Sequence, residues 1–166
     1  MLIELSITWI VVVNVIAWPA IQLGLAWGLT RIAPKRFSPD NFFARSRSWE
    51  RRGRIYERMF GVKVWKDKLP DGAAWFRGGF AKAGLKSSTP EFLKQFASET
   101  WRGELVHWLA LAALPLFAFW NPWWAVMANA CYALAANLPC IIVQRYNRAR
   151  LCHALCRHIN NPNPQI

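Results

Sequence analysis

The sequence predicts an all-α integral membrane protein with about three transmembrane helices, one N-terminal span followed by a C-terminal helical hairpin. Hydrophobic residues make up 54% of the 166 residues, and 11 residues are Trp, which is more than a soluble domain of this size usually carries. Two long blocks without charged residues flank a basic middle segment. We therefore expect a single membrane domain over residues 1–166, with spans at about 5–30, 105–120 and 123–143 and a cytoplasmic or interfacial region at 31–104.

The first uncharged block lies between Glu4 and Arg31. A helix needs about 20 residues to cross the hydrocarbon core, so this block is long enough for one span. It has no positively charged segment in front of it, and its apolar run exceeds the roughly 7 to 15 residues of a secretion signal. We interpret it as a retained membrane helix.

The second uncharged block lies between Glu104 and Arg145 and is divided by Asn121-Pro122. Its length suits two spans joined by a tight turn, which predicts a helical hairpin. The span at 105–120 is shorter than ideal, so we expect it to begin inside the protein or in the headgroup layer.

The basic residues predict the orientation and exclude one class of partner. All 21 Lys and Arg residues lie between Arg31 and Arg102 or after Val143, so both regions should face the cytoplasm. The N-terminus and the Asn121-Pro122 turn should then lie outside. A net charge of +12 is also typical of nucleic-acid-binding proteins, but such proteins rarely carry two long uncharged blocks.

The start of the middle region resembles a basic amphipathic helix. Ser38-Pro39-Asp40-Asn41 has the pattern of a helix start, and Phe42, Trp49 and Tyr56 follow at seven-residue spacing, which predicts a stripe that faces lipid. The rest of the segment carries Arg45, Arg47, Arg51, Arg52, Arg54 and Arg58. These arginines can attract anionic lipid headgroups or bind the phosphates of a soluble cosubstrate, and the sequence leaves both open.

Three weaker patterns complete the middle region. Residues 61–66 alternate in polarity, which predicts a short extended segment that ends at the Leu69-Pro70-Asp71-Gly72 turn. Residues 73–88 show no periodicity and are interpreted as a loop or a re-entrant segment. Thr89-Pro90-Glu91 predicts the start of one long helix that continues to Trp120 and bends at Pro115.

The cysteines indicate neither disulfides nor a metal site. Cys131 and Cys140 fall inside the third span, and two more cysteines follow it in the predicted cytoplasmic tail, where thiols stay reduced. The tail residues that could ligate a metal are Cys152, His153, Cys156 and His158. Their spacing matches no common zinc pattern, so we expect no metal.

One polar face on the second predicted helix can carry chemistry. At about 100° per residue, Glu99, Glu104 and His107 separate from an aromatic face, and Gly103 between them leaves room for a substrate or a helix. Glu104 and His107 are three residues apart, so the carboxylate could orient the imidazole. The alternative is an interfacial ion-pair network, including Arg102, that only anchors the helix.

A second polar cluster follows the third span at its predicted cytoplasmic end. Because the chain reverses once at Asn121-Pro122, the topology brings this end near His107. Arg145 and Arg148 fit either positive-inside anchors or a site. Gln144 and Asn147 have no anchoring role, and their amides can donate hydrogen bonds to a developing oxyanion.

At these residues the chain resembles the glycosyl-4,4'-diaponeurosporenoate acyltransferase family, small bacterial membrane enzymes of staphyloxanthin-type carotenoid synthesis. Three blocks carry the resemblance: Val64-Trp65-Lys66-x-Lys68-x-x-Asp71-Gly72; Glu99-Thr-x-Arg102-x-Glu104-x-x-His107-Trp108; and Asn137-x-Pro139 with Gln144-Arg145-Tyr146-Asn147-Arg148-x-Arg150-Leu151.

The resemblance implies transfer of a fatty acyl group from a thioester, with acyl-CoA as cosubstrate and no other cofactor, to a sugar hydroxyl of a membrane glycolipid or glycosylated isoprenoid. Such a transfer needs a base for the hydroxyl and donors for the oxyanion. The roles follow the motifs: His107 as base, oriented by Glu104 or Glu99; Arg102, Gln144, Arg145 and Asn147 at the oxyanion or substrate; Lys66, Lys68 and Arg148 at the donor phosphates; Trp65, Asp71 and Tyr146 in support.

Two other functions remain open from the sequence. The same histidine could serve a membrane hydrolase or lyase that acts on a lipid or a thioester. The chain could also be a non-catalytic lipid-binding or assembly subunit. Three spans enclose little volume, so a homodimer is possible with any of these functions.

Overall fold

The computed structural model describes residues 3–69 and 89–160, and the regular elements in these ranges are all helical. The α-helices are α1 (Ile7–Thr30), α2 (Arg54–Phe60), α3 (Val62–Trp65), α4 (Pro90–Ala112) and α5 (Trp123–Asn160). Short 3-10 helices lie at Pro34–Arg36, Ser48–Gly53, Lys66–Lys68 and Leu114–Phe119. The predicted fold class is therefore confirmed.

Three helical segments are long and apolar enough to cross a membrane. They are Ile7–Thr30, Pro90–Phe119 and Trp123–Asn160, judged by length and composition. In α1 only Ile10 and Trp18 are buried, because the helix is apolar on all sides and leaves most of its surface for lipid. The chain is thus a membrane protein with one N-terminal helix and a hairpin of α4 and α5.

The predicted single α-helix from Pro90 to Trp120 is wrong in its last eight residues, 113–120. The α-helix ends at Ala112, and the chain continues as the 3-10 helix Leu114–Phe119. Pro115 explains the change, because its ring removes one backbone donor and clashes with the preceding turn of an α-helix. Asn121 then closes the turn, since its Nδ2 donates to the carbonyl of Phe117 at 2.9 Å.

The predicted amphipathic helix from Ser38 is also wrong, because the chain forms turns until Ser48. The Ser38 Oγ accepts from the amide of Asp40 at 3.2 Å, and the Asn41 Oδ1 accepts from the amide of Phe43 at 3.1 Å. Such local side-chain bonds to the backbone compete with helix formation.

Only part of the predicted aromatic stripe is exposed. Phe42 and Trp49 are exposed, whereas Tyr56 is only 5% exposed and its hydroxyl donates a hydrogen bond to Glu50. The turns before Ser48 and the left-handed φ of Arg51, Arg52 and Gly53 break the helical register that would have aligned the three rings. The side chain therefore packs into the protein rather than facing lipid.

The predicted extended segment at residues 61–66 is helical instead. Gly61 has a left-handed φ of 57° that ends α2, and Val62–Trp65 then forms the single turn of α3. A lone alternating run has no strand to pair with in the described part of the chain, so its backbone bonds are satisfied locally. Asp71 and the predicted loop at 73–88 lie outside the described residues.

Polar side chains join α1 to the hairpin at three levels. Asn14 Nδ2 donates to Asn121 Oδ1 at 2.8 Å. Trp18 Nε1 donates to Asn129 Oδ1 at 2.7 Å. Nε2 of Gln22 donates to Oδ1 of Asn137 at 3.0 Å. Hydrogen bonds of this kind hold helices together in a membrane, where apolar burial between helices contributes little.

The α2 region approaches α5 closely at Gly53. This glycine has a φ of 87°, and a Cβ there would lie 3.2 Å from Cδ2 of Tyr146 and 3.3 Å from Cδ of Arg150. We expect Gly53→Ala to lower the free energy of unfolding by about 1–3 kcal/mol through backbone strain and crowding. Thermal unfolding in detergent measures this, with Gly24→Ala as control because nothing lies within 4 Å of its added Cβ.

Candidate functional site

His107 lies half-buried where α1, α4 and α5 meet. Its Nδ1 is 2.9 Å from Oδ1 of Asn137 on α5. The same oxygen accepts the hydrogen bond from Gln22 of α1. The hairpin turn thus brings together residues 30 positions apart. The topology argument placed the end of the third span, at Gln144, near His107, whereas Asn137 lies seven residues earlier on α5.

Asn137 and Gln22 are two site residues that sequence analysis missed. Asn137 was predicted only as part of a family motif, and no role was predicted for Gln22. A signal was present in the sequence, because Asn129 and Asn137 are amides eight residues apart inside the uncharged block between Glu104 and Arg145. Amides placed so regularly inside an uncharged span indicate a polar interface with another helix.

Glu104 points toward α5 and accepts charged donors there. Its exposed fraction is 0%. Oε1 of this carboxylate accepts from Arg145 Nη1 at 3.2 Å and from Trp108 Nε1 at 3.0 Å, and Oε2 pairs with Nη2 of Arg148. Glu104 therefore orders two guanidinium groups of α5.

Glu50 extends this ion-pair network from the middle region. Its Oε1 accepts from Tyr56 at 2.6 Å and from Arg145 Nε at 3.1 Å, and its Oε2 accepts from the amide of Arg47 at 2.5 Å. The two carboxylates and the guanidiniums of Arg145 and Arg148 balance in charge. Sequence analysis missed Glu50 because it placed the whole segment on a membrane surface.

The environment shifts the pKa values of Glu50 and Tyr56 in opposite directions. Burial alone would raise the pKa of Glu50, but the hydrogen bonds from Tyr56 and Arg47 and the charge of Arg145 outweigh it, so the pKa lies below its ordinary value. The pKa of Tyr56 is raised by burial and then by the adjacent Glu50 carboxylate. The pair is therefore a neutral phenol that donates to an ionised carboxylate.

We expect the stability of the protein to fall in acid because of Glu50. A carboxyl whose pKa is lowered in the folded state stabilises that state above its unfolded pKa, near 4.5, and this contribution is lost as the pH falls through the folded pKa. Thermal unfolding between pH 7 and pH 3 measures the slope. Glu50→Gln should flatten it relative to the wild type, and an unchanged slope would contradict the assignment.

Arg148 on α5 and Arg102 on α4 both have buried side chains. Arg148 is 1% exposed, donates from Nε to the carbonyl of Ala44 at 2.6 Å, and lies 5.7 Å from the Trp101 ring centre. Nη2 of Arg102 lies 2.5 Å from Oε2 of Glu99, its i−3 neighbour. Glu99 thus pairs with Arg102 on its own helix.

The remaining predicted site residues of α5 and the middle region lie at two places. Gln144 and Asn147 are half-buried on α5. Trp65 packs against a separate hydrophobic cluster, which consists of Tyr56, Val62, Val143 and Tyr146. Nearby, Lys66 pairs with Asp67 at 2.6 Å, Lys68 is exposed, and the Tyr146 hydroxyl donates to Glu57 at 2.9 Å. On α5, Gln144, Tyr146 and Asn147 follow Asn137, the hydrogen-bond partner of His107, by seven to ten residues.

Within residues 3–69 and 89–160, no group of three or more His, Cys, Asp or Glu side chains is placed to hold a metal ion. Cys131, Cys140, Cys152 and Cys156 carry thiols that form no disulfide in the described part of the chain. The chemistry that the described part offers is acid–base and electrostatic: an imidazole set among amides, beside a buried network of carboxylates and guanidiniums.

Comparison with known proteins gives matches over most of the chain. The family model for glycosyl-4,4'-diaponeurosporenoate acyltransferase matches residues 39–157. A protein of that name from Staphylococcus haemolyticus is 34% identical over 136 residues, covering 82% of this chain and 79% of the relative. One from Staphylococcus aureus is 35% identical over 139 residues, covering 83% of each. No solved structure matches the chain.

Proposed function

The chain belongs to the glycosyl-4,4'-diaponeurosporenoate acyltransferase family, and from that premise we propose that it moves a fatty acyl group from a thioester donor to a hydroxyl of a membrane-embedded glycosylated isoprenoid or related glycolipid. The resemblance seen in the motifs is confirmed, and the chain is an acyltransferase. The donor, the acceptor and the residue roles below are our proposal.

The placement of His107 is the observation that supports this function. An imidazole lies half-buried among three helices, on helices that are apolar enough to hold a lipid acceptor in the membrane. His107 takes the proton of the acceptor hydroxyl while the oxygen of that hydroxyl attacks the thioester carbonyl carbon. The tetrahedral intermediate then collapses, the C–S bond breaks, and the leaving thiolate takes the proton from His107.

The oxyanion of that intermediate needs a donor near His107. Gln144 is seven residues after Asn137, on the same face of α5 and about 10 Å farther along the helix axis, a distance that the two long side chains and the bound thioester would bridge. We therefore favour Gln144, with Asn147 next to this face, as the source of the hydrogen bond. Arg145 is less suited because two carboxylates, Glu50 and Glu104, already hold its charge.

Binding of the donor phosphates requires exposed cations. Arg148 is buried against Glu104, so we replace its predicted phosphate role with a structural one. We keep Lys68, which is exposed, and Lys66, which is half-buried and also pairs with Asp67. Four exposed arginines lie within electrostatic range of His153, namely Arg52, Arg54, Arg150 and Arg157. We propose these exposed arginines as further contacts for the phosphates of acyl-CoA.

The test is an assay with purified protein in nanodiscs and bacterial lipid extract. The donor carries a radiolabelled acyl group as a thioester, either on CoA or on acyl carrier protein. We expect label in a lipid product, and loss of that product when the extract is first deglycosylated. Label that appears only in free fatty acid would replace the transferase with a hydrolase. No turnover with any donor or extract, together with lipid retained on the protein, would favour a non-catalytic lipid-binding subunit.

A further inference from the structure

Donors from two helices converge on the side-chain oxygen of Asn137. Nδ2 of this amide donates to the carbonyl of Ala133, four residues earlier on α5, at 2.8 Å. That bond fixes which way the amide points, because the reverse orientation would place two oxygens against each other. Oδ1 therefore faces both Gln22 of α1 and His107 of α4.

This orientation determines which nitrogen of His107 carries the proton. Oδ1 can only accept, so the Nδ1 that lies 2.9 Å from it must be the donor. In a neutral imidazole with a proton on Nδ1, the basic lone pair is on Nε2. The two lone pairs of Oδ1 are used by Gln22 and His107, which satisfies a buried amide oxygen in an apolar segment.

We propose that Asn137, held by Gln22 of the first span, is a positioning residue that keeps His107 in the Nδ1-protonated tautomer and thereby makes Nε2 the base. The role of base rests on the proposed function, but the tautomer does not. The first span is then part of the active site rather than only a membrane anchor. It acts through Asn137 and need not touch either substrate.

The register of α1 against α5 supports a dedicated position for Gln22. On α1 the residues that bond to the hairpin follow at four-residue steps, Asn14, Trp18 and Gln22. Their partners in the hairpin follow at eight-residue steps, Asn121 in the turn and then Asn129 and Asn137 on α5. The first two contacts hold the helices together without any histidine, and only the third is joined to His107.

Three substitutions separate positioning from stability. Asn137→Leu removes the acceptor of Nδ1–H, so we expect a mixture of tautomers at His107 and a fall in kcat of roughly 10- to 100-fold. Asn137→Asp keeps an acceptor for Nδ1 and should retain the tautomer and more of kcat than Asn137→Leu. Gln22→Leu should shift the tautomer in the same direction as Asn137→Leu, but less.

The matched control is Trp18→Phe. It removes the hydrogen bond to Asn129 between the same two helices but leaves the third contact intact. We expect it to lower the unfolding temperature about as much as Gln22→Leu does. It should leave both kcat and the tautomer unchanged.

The primary measurement is ¹⁵N NMR of protein labelled at histidine in detergent or nanodiscs, at a pH where the imidazoles are neutral. His107→Gln identifies the signals of His107 among the three histidines. We expect a protonated Nδ1 in the wild type. A protonated Nε2 there, or an unaltered tautomer in both Asn137→Leu and Gln22→Leu, would overturn the inference, and the wild-type spectrum decides even if a variant fails to fold.

The outcomes also separate this inference from the proposed function. A wild type that shows Nδ1–H but transfers no acyl group would refute the proposed function and leave the tautomer assignment standing. An active wild type whose His107 carries its proton on Nε2 would do the reverse.

Discussion

Replacing His107 with alanine is expected to lower kcat for acyl transfer by roughly 10²- to 10⁴-fold, the contribution that a positioned general base makes. Without the imidazole, the acceptor hydroxyl must lose its proton to water or attack while still protonated. Asn137 keeps its bond from Gln22 and its bond to Ala133 in this variant. The change should therefore remove chemistry and leave the packing of the three helices largely intact.

The measurement is kcat and KM for labelled acyl donor with a lipid extract, alongside the unfolding temperature of each protein. His158→Ala is the control, because it removes an imidazole from the part of α5 beyond Arg157 and leaves His107 in place. We expect wild-type turnover from His158→Ala. Full turnover by His107→Ala would exclude it as the base, whatever the acceptor proves to be.

The membrane helices could be predicted because lipid imposes a simple requirement. A span must avoid charge for about 20 residues, and the blocks before Arg31 and between Glu104 and Arg145 satisfy it. The end of α4 was harder to place. Pro115 predicts a disturbance in the helix, but its effect on the preceding turn, which ends at Ala112, depends on local geometry.

The partners in the site could be predicted only in part. The angle around a helix places Glu104 and His107 on one polar face, but it does not say which residues of α5 lie opposite. That depends on the depth and rotation of the two packed helices, and here these set His107 against Asn137 and Glu104 against Arg148. The pairing of Glu104 with His107 as i and i+3 neighbours stays a prediction.

The middle region shows how tertiary contacts override a periodic pattern. Aromatic residues at seven-residue spacing predicted a helix on the membrane surface, yet the chain turns at Arg51, Arg52 and Gly53, all with left-handed φ. That turn directs Glu50 and Tyr56 into the protein, where Arg145 meets the carboxylate. A residue 95 positions away in sequence decides this fold, and local periodicity carries no information about it.

Glu104→Ala is expected to have the largest effect on stability, a loss of about 3–5 kcal/mol in the free energy of unfolding. The carboxylate is fully buried and pairs with Arg145 and Arg148. In the variant, both guanidiniums lose this negatively charged partner. Arg145 would keep Glu50, whereas Arg148 would keep only the neutral carbonyl of Ala44 among its described hydrogen bonds. An uncompensated charge on Arg148 is therefore the main cause of the loss.

Unfolding in mixed detergent micelles measures this effect, and two variants sharpen it. Lys63→Ala breaks a pair with Glu57 in which the lysine side chain is 58% exposed, so we expect a change under about 1 kcal/mol. Glu104→Leu combined with Arg148→Met replaces the buried pair with apolar groups and should recover much of the stability, because no charge is then left unpaired. Recovery of stability without recovery of acyl transfer would show that Glu104 or Arg148 also acts in the reaction. Recovery of both would limit the pair to holding α4 against α5, and would leave His107 with its amide partners as the site of the chemistry.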